Sequence, residues 1–442
     1  LTVFTTDDPG SPLLEIAAAA RAEFSPALLA PASLLEEHPT FCVFEGAVDM
    51  PVFQAGDPPF ASSGGGFAFG TDGRPLLQRR ERARVFVTIP KLPMPAAGYP
   101  VVVMSRTGGG GDRPLIDRGV RGEPGGPALE PGSGPAREFA MEGFAGISVD
   151  GPHGGPRNVS GGDEQLLVYN FQNPLALRDN IRQSAIELAL VPDLLSVTTI
   201  DVSGCPGAVA PAGARFDLEH LALMGHSMGA SITPLTAAVE PRYGALLLSG
   251  AGGSFLENLI HKQKPLAVKP LAELVLGLTA QGYGLADDSA IAHLLQWTGE
   301  PADSPIYGSA LVREPWTGDA RHVTMMQGIV DHYIMPPIAN AASLAFGLDL
   351  AGPSLDATHP ELADLDSLET LLIHAGAQQI ALPAGPNEHG VIAVVTQWPE
   401  DGVEDGHEAV FQTEPPKRSY RCFLRTWLAG SPVVTDGQTA CP

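Results

Sequence analysis

Five residues constrain this chain more than any others: Gly225-His226-Ser227-Met228-Gly229, a G-x-S-x-G sequence inside the stretch Leu218 to Val239. The apolar run ahead of it reads as a strand and the small-residue run behind it as a helix. A serine hydroxyl is a poor nucleophile at neutral pH and needs both a base and an exposed, fixed position. A sharp strand-to-helix turn supplies that position. It also crowds the backbone, so the residues two before and two after the serine must be small, as Gly225 and Gly229 are. The following helix points its N-terminus at the serine, which makes the Met228 N–H a candidate oxyanion donor. In a chain with 51 glycines the bare pattern recurs by chance, and the alternative is an ordinary glycine-rich turn. The strand and helix around it favour Ser227 as a nucleophile.

From residue 84 onward, strands and helices alternate as in a mostly parallel sheet covered on both faces. Arg84 to Pro90 and Tyr99 to Met104 read as strands, the second running into Thr107 and the glycines Gly108 to Gly111. No G-x-x-x-x-G-K accompanies those glycines, which argues against a nucleotide site. The loop is instead placed to offer a second oxyanion N–H, from Thr107 or Gly108. A buried strand then ends near Asp150 and His153, which precede the serine and read as residues that hold loops. Pro174 to Leu195 has helical spacing and reads as a crossover helix into the elbow strand.

After the strand near Tyr243 to Ser249 the rhythm fails for about 70 residues. The short apolar segments there, broken by Gly, Pro and Asp, read as a helical cap inserted beyond a strand's C-terminal end. The alternative is a helical layer of the core. The expected organisation is an N-terminal extension over 1–83 packed on the main domain, a first core part over 84–253, a cap over 254–320 and a second core part over 321–442. Apolar cap side chains, Leu274 and Leu278 among them, are expected to line a substrate pocket. Leu368 to Leu382 is a further candidate strand, and Ser419 to Leu428 a terminal helix.

Charge and cysteine usage exclude some partners. The formal net charge is −24, from 50 acidic and 26 basic residues, and such a surface repels phosphate backbones, so nucleic acid is a poor partner. No apolar run reaches the roughly 18 to 20 residues that span a bilayer. The four cysteines, Cys42, Cys205, Cys422 and Cys441, form no C-x-x-C pair, which leaves zinc and redox-motif readings without support. Cys422 with Cys441 is the first candidate bridge. The even cysteine count, the acidic surface and a first residue, Leu1, that is not methionine favour a secreted or periplasmic protein, with a truncated start as the alternative reading of Leu1. No His/Asp/Glu grouping has metal-ligand spacing, and neither metal nor cofactor is expected.

Asp331, in the Q-G-I-V-D strand-loop, and His407, in G-H-E-A-V-F, complete a nucleophile, acid, base order with Ser227. That order and placement resemble the α/β-hydrolase superfamily over roughly residues 84 to 430. Within it, the chain resembles bacterial lipases and carboxylesterases, including enzymes that attack polyesters. The resemblance implies an α/β-hydrolase fold with a capped, mostly parallel sheet. It also implies a serine ester hydrolase with Ser227 as nucleophile, His407 as base, Asp331 as acid and an acyl-serine intermediate. Arg106-Thr107 stands where those enzymes often have His-Gly. A peptidase or acyltransferase on the same fold is the nearest alternative, and a non-catalytic binding protein the next. His389 is the runner-up base. His226 is expected to shape the pocket, His332 to diverge from the acid and His374 to end a strand. Asp401, Glu404 and Asp405 read as a solvated acidic loop.

Overall fold

Strand residues in this chain alternate between two buried faces, and that alternation organises the molecule. A computed structural model describes residues 8–108 and 113–442. Its strands are β1 (Ser33–Glu37), β2 (Phe41–Val52), β3 (Arg79–Pro90), β4 (Tyr99–Met104), β5 (Ala145–Val149), β6 (Phe216–His226), β7 (Tyr243–Ser249), β8 (His322–Ile329), β9 (Asp349–Ala351), β10 (Gln379–Ile380) and β11 (Ala393–Pro399). They form one sheet in the order β1-β2-β3-β5-β4-β6-β7-β8-β11-β9-β10. Pairing is parallel from β5 through to β10 and antiparallel where β1, β2 and β3 join.

Val101, Val103, Leu221, Leu223, Leu246 and Leu248 face one core, shared with the helices Ser11–Glu23, Pro174–Ala189, Met228–Val239 and Pro336–Phe346. Their neighbours Val102, Met104, Ala222, Met224, Ala245 and Leu247 face the other, against Pro135–Met141 and Glu414–Leu428. Burial on both faces is why these strands read as unbroken apolar runs. Crossover connections between parallel strands place the loops after β4, β6, β8 and β11 along one edge, where a site can assemble.

Several elements differ from the sequence reading. Residues 1–83 are more than a packed extension, because β1 and β2 are strands of the sheet, with β2 paired to β3 along its whole length. The crossover helix ends at Ala189 and a second begins at Val191, with Pro192 in its first turn, since proline cannot donate into a continuing helix. Leu368 to Leu382 is mostly short helical turns and contributes only the two residues of β10. His374 accordingly lies in a helical turn, whereas the sequence reading ends a strand there. The terminal helix begins five residues earlier than expected, at Glu414. Residues 254–320 hold the helices Phe255–His261, Val268–Val275 and Ala290–Gly299 around a small cluster of Leu259, Leu285 and Ala292.

Two disulfides are formed, Cys422–Cys441 as expected and Cys42–Cys205. The second ties β2 to a loop 163 residues away in sequence. Among the described residues no helix is long and apolar enough to cross a membrane.

Candidate active site

The elbow is the local consequence of its glycines. β6 ends at His226 and the next helix starts at Met228, leaving Ser227 at φ 55°, ψ −122°. A non-glycine residue there costs about 1–3 kcal/mol, which persists only where surroundings fix it. They do so here: Ser227 N donates to Ser249 O at 3.0 Å, and Ser227 O accepts from Ala230 N at 2.9 Å. A Cβ on Gly225 would lie 2.7 Å from Gly229 O, and one on Gly229 would lie 3.0 Å from Arg106 O. Larger residues would force the turn open or push away the loop after β4.

Asp331 and His407 converge from neighbouring strands. Asp331 follows β8, and its Oδ1 accepts from the backbone N–H groups of Tyr333 (2.8 Å) and Ile334 (2.7 Å). Its Oδ2 lies 2.7 Å from His407 Nδ1. The two residues are 2% and 4% exposed, so this contact is shielded from water. His407 arrives on the loop after β11, which runs against the end of β8 with Gly406 N donating to Val330 O at 2.9 Å. Glycine is required at 328 and 406 because any Cβ there would collide with the facing backbone. The imidazole stands over Gly250, directly after the Ser249 carbonyl that holds Ser227. The Tyr333 ring stacks on it at 4.7 Å, and the His226 ring lies 4.6 Å away. With Nδ1 engaged by Asp331, Nε2 is the nitrogen left for a serine proton.

The surroundings are charged and buried. His226 is fully buried, with Nδ1 2.7 Å from Ser249 Oγ and no hydrogen-bond partner for Nε2. Burial holds it neutral, well below the usual histidine range, and the nearby Arg118 charge acts in the same direction. Glu408 is 7% exposed and grips the Arg118 guanidinium with both oxygens. Burial alone would raise its pKa, but Arg118 outweighs burial and lowers it. One ligand atom each from His226, His407 and Glu408 lies within 4.8 Å of the other two, a grouping that no sequence spacing announces. Both Glu408 oxygens are already matched by a cation, which disfavours a second positive charge there.

Glu404 and Asp405 do not lie in a solvated acidic loop. Glu404 is 8% exposed and pairs with Arg121 at 3.0 Å, and it also accepts from Gly125 N. Asp405 Oδ1 accepts from the backbone of His407 (3.1 Å) and of His332 (3.0 Å), and its Oδ2 meets Lys264 Nζ and His332 Nδ1, each at 2.8 Å. Burial opposes its charge, yet these partners hold its carboxyl below the usual range. Asp401 is the exposed member. The sequence pattern shows acidity but not the buried cations that answer it.

Asp150 and His153 hold loops, as expected: Asp150 pairs with Arg84 and Arg106 at 2.8 Å each, and His153 lies 3.3 Å from Asn180 Oδ1. His332 diverges onto Asp405 and Glu361. His389, with a side chain 56% exposed, meets only Glu388 among the described residues. Met228 N starts the elbow helix, Thr107 and Gly108 are buried, and Thr107 Oγ1 accepts from Arg118 at 2.8 Å. Gly109 to Gly111 lie outside the described residues. Sequence reasoning missed Arg118, Glu408, Tyr333 and Lys262. Glu408 and Tyr333 stand one and two residues from His407 and Asp331, a proximity that could have flagged them. Nothing in sequence marks Arg118.

The sheet order, the antiparallel strand β3 beside β5, and a serine elbow after β6 define an α/β-hydrolase fold. No family model matches the chain, and no curated protein matches it. Among solved structures it is similar to an acetyl xylan esterase from Paenibacillus sp. R4, at 14% identity over 78% of this chain and 86% of that one, TM-score 0.45. Acetyl xylan esterase 1 from Thermoanaerobacterium sp. JW/SL YS485 is similar at 11% identity over 91% and 92%, TM-score 0.45. A CE15 glucuronoyl esterase from Teredinibacter turnerae T7901 is similar at 13% over 91% and 79%, TM-score 0.42.

Proposed function

We propose that the chain is a serine carboxylic-ester hydrolase with Ser227 as nucleophile, His407 as general base and acid, and Asp331 as the residue that orients the imidazole. The observation that carries the reading is the buried 2.7 Å contact between His407 and Asp331, beside a serine held at φ 55°. His407 Nε2 takes the Ser227 Oγ proton as Oγ adds to the ester carbonyl carbon. The oxyanion is met by the Met228 N–H and an N–H from Thr107 or Gly108. When the ester C–O bond breaks, His407 returns the proton to the leaving alcohol. Water, deprotonated by the same imidazole, then cleaves the acyl-serine and releases the acid. Asp331 remains ionised throughout and stabilises the imidazolium.

The substrate class in this proposal is hydrophobic acyl esters, polyesters included, bound beneath the 254–320 segment. Two features support it. That segment follows β7, whose end holds the elbow, and its Lys262 and Lys264 reach the loops of the acid and the base. Its side chains are predominantly apolar, as ester pockets are. The two disulfides fit an oxidising compartment and support a secreted or periplasmic location. A panel of p-nitrophenyl esters, matched anilides and polyester films tests the reading. Turnover of esters well above anilides is expected. Preferential anilide cleavage, or transfer to an added alcohol in place of hydrolysis, would move the chain to the peptidase or acyltransferase class.

A further inference from the structure

Arg118 lies 4% exposed just after the short helix Pro114–Asp117, far in sequence from every proposed catalytic residue. Its guanidinium nonetheless touches two loops of the site at once. Nη1 donates to Thr107 Oγ1 at 2.8 Å on the loop after β4, while Nε donates to Glu408 Oε2 at 3.0 Å and Nη2 to Oε1 on the loop of the base. The guanidinium also lies 5.1 Å over the Phe411 ring, whose other neighbour is the His226 ring at 4.7 Å. A planar donor fork with this many fixed contacts is a rigid brace, which a lysine ammonium cannot reproduce.

Glu408 adds an electrostatic role. It is the residue after His407, and its Oε1 lies 4.0 Å from the otherwise unpartnered His226 Nε2. The groups around the His407 imidazole are Asp331 from the β8 loop, Tyr333 stacked on the ring, His226 from the elbow, Glu408 from its own loop, and Asp405 on its backbone N–H. Behind them stand Arg118 on Glu408, Arg121 on Glu404, and Lys262, whose burial pushes its ammonium down to about 8 against the pull of Asp331. Glu408 therefore sets a negative charge close to the base, and Arg118 cancels it.

Resting on the hydrolase reading, we propose that Arg118 and Glu408 are a positioning pair, which braces the oxyanion loop against the loop of the base and balances the charge beside His407. Neither residue touches substrate. Removing Arg118 exposes the Glu408 charge to the imidazole, and removing the Glu408 charge leaves Arg118 unopposed. The two changes must move His407 in opposite directions.

The test follows the His407 imidazole by NMR titration, together with the acidic limb of kcat/KM for an ester, in Arg118→Met, Glu408→Gln, the double variant and Arg118→Lys. Arg118→Met should raise the His407 midpoint and Glu408→Gln should lower it, each by on the order of one pH unit. The double variant should return close to wild type. Arg118→Lys should keep the wild-type midpoint but lose kcat, because the charge survives while the Thr107 brace does not. Glu408→Gln is nearly isosteric, so it and the double variant decide the matter if Arg118→Met fails to fold. Shifts in the same direction, or lost activity with unmoved midpoints in every variant, would overturn the pair. If wild-type protein hydrolyses no ester, the hydrolase reading falls, while the NMR midpoints still decide whether the pair balances charge at His407.

Discussion

The shelf that carries Ser227, Asp331 and His407 and the 254–320 segment beside it are built on opposite terms. On the shelf the three side chains are 9%, 2% and 4% exposed, Ser227 N is held by Ser249 O at the end of β7, and Gly406 N beside His407 is held by Val330 O beside Asp331. In the segment, the Val268–Val275 helix buries no residue, and Leu274, Val275 and Trp297 are 67%, 76% and 68% exposed. Leu259, Leu285 and Ala292 form a small cluster of its own, whereas Ala302, Tyr307, Leu311 and Val312 near its C-terminal end join the main core. Polar latches join the segment to the loop of Asp331: Gln263 N and Lys264 N donate to His332 O, Lys262 Nζ donates to Tyr333 O at 2.7 Å, and Lys264 Nζ meets Asp405 at 2.8 Å. Within the segment, Asp303 accepts from Ser254 N. Burial pushes the Asp303 carboxyl up to about 6, against the hydrogen bonds it accepts. Chemistry needs fixed distances and binding tolerates adjustment, so the proposed cover is expected to adjust through its exposed helices at 268–299 while the shelf stays fixed.

Changes on the shelf should have the largest effects. Ser227→Ala should lower kcat by about a millionfold, and His407→Ala should do comparably, with circular dichroism unchanged. His389→Ala should leave turnover intact, and the reverse result would transfer the base role to His389. Asp331→Asn should cost about 10⁴-fold, because the imidazole would be held in the wrong tautomer.

Changes in the cover should be smaller and depend on the substrate. Each methylene withdrawn from water contributes about 0.8 kcal/mol, so three more acyl carbons should raise kcat/KM roughly sixtyfold. Leu274→Asp should flatten that series while shifting stability by less than about 0.5 kcal/mol, since Leu274 is largely exposed. Leu278 packs on the small cluster and its substitution by Asp should loosen the cover itself. A steep chain-length series in Leu274→Asp would show that this helix packs away from the substrate.

The smallest expected effect is on pH. Burial would lower the His332 pKa, but its hydrogen bonds to Glu361 and Asp405 raise it above the usual value. A raised folded pKa contributes stability that is full below about 6.5 and is lost as pH rises through the folded value. The latch formed by His332, Asp405 and Lys264 should therefore loosen on the alkaline side. After correction for intrinsic rates, amide exchange at residues 262–264 should increase above that pH in wild type, and His332→Ala should remove the dependence. Exchange that is flat with pH in both proteins would contradict it.

The parts of this molecule that are legible in the sequence are those where one local rule decides the structure. β6, the elbow and its helix are visible because glycine spacing and an apolar run coincide over a dozen residues. The same holds for β4 and β5, buried on both faces. β11 is not legible although Ala393 to Trp398 is buried throughout, because Pro383, Pro386 and Gly390 ahead of it suggest a loop. Phe41 to Val48 and Arg84 to Pro90 read as strands, but the pairing of β2 with β3 is not legible because it spans a 26-residue gap that no periodicity bridges. Burial of Glu404, Asp405 and Glu408 depends on arginines and a lysine more than a hundred residues away, a property of the folded chain alone.

The central claim is that His407, held by Asp331, activates Ser227. Mass-spectrometric measurement of the rate of fluorophosphonate labelling at Ser227, across pH in wild type and His407→Ala, tests it most directly. Rapid labelling of Ser227 in wild type, with a rate that rises as a single group loses its proton, is expected. In His407→Ala the adduct should form orders of magnitude more slowly and without that titration. Absence of an adduct at Ser227 in folded wild-type protein, or equal labelling in the two, would contradict the claim.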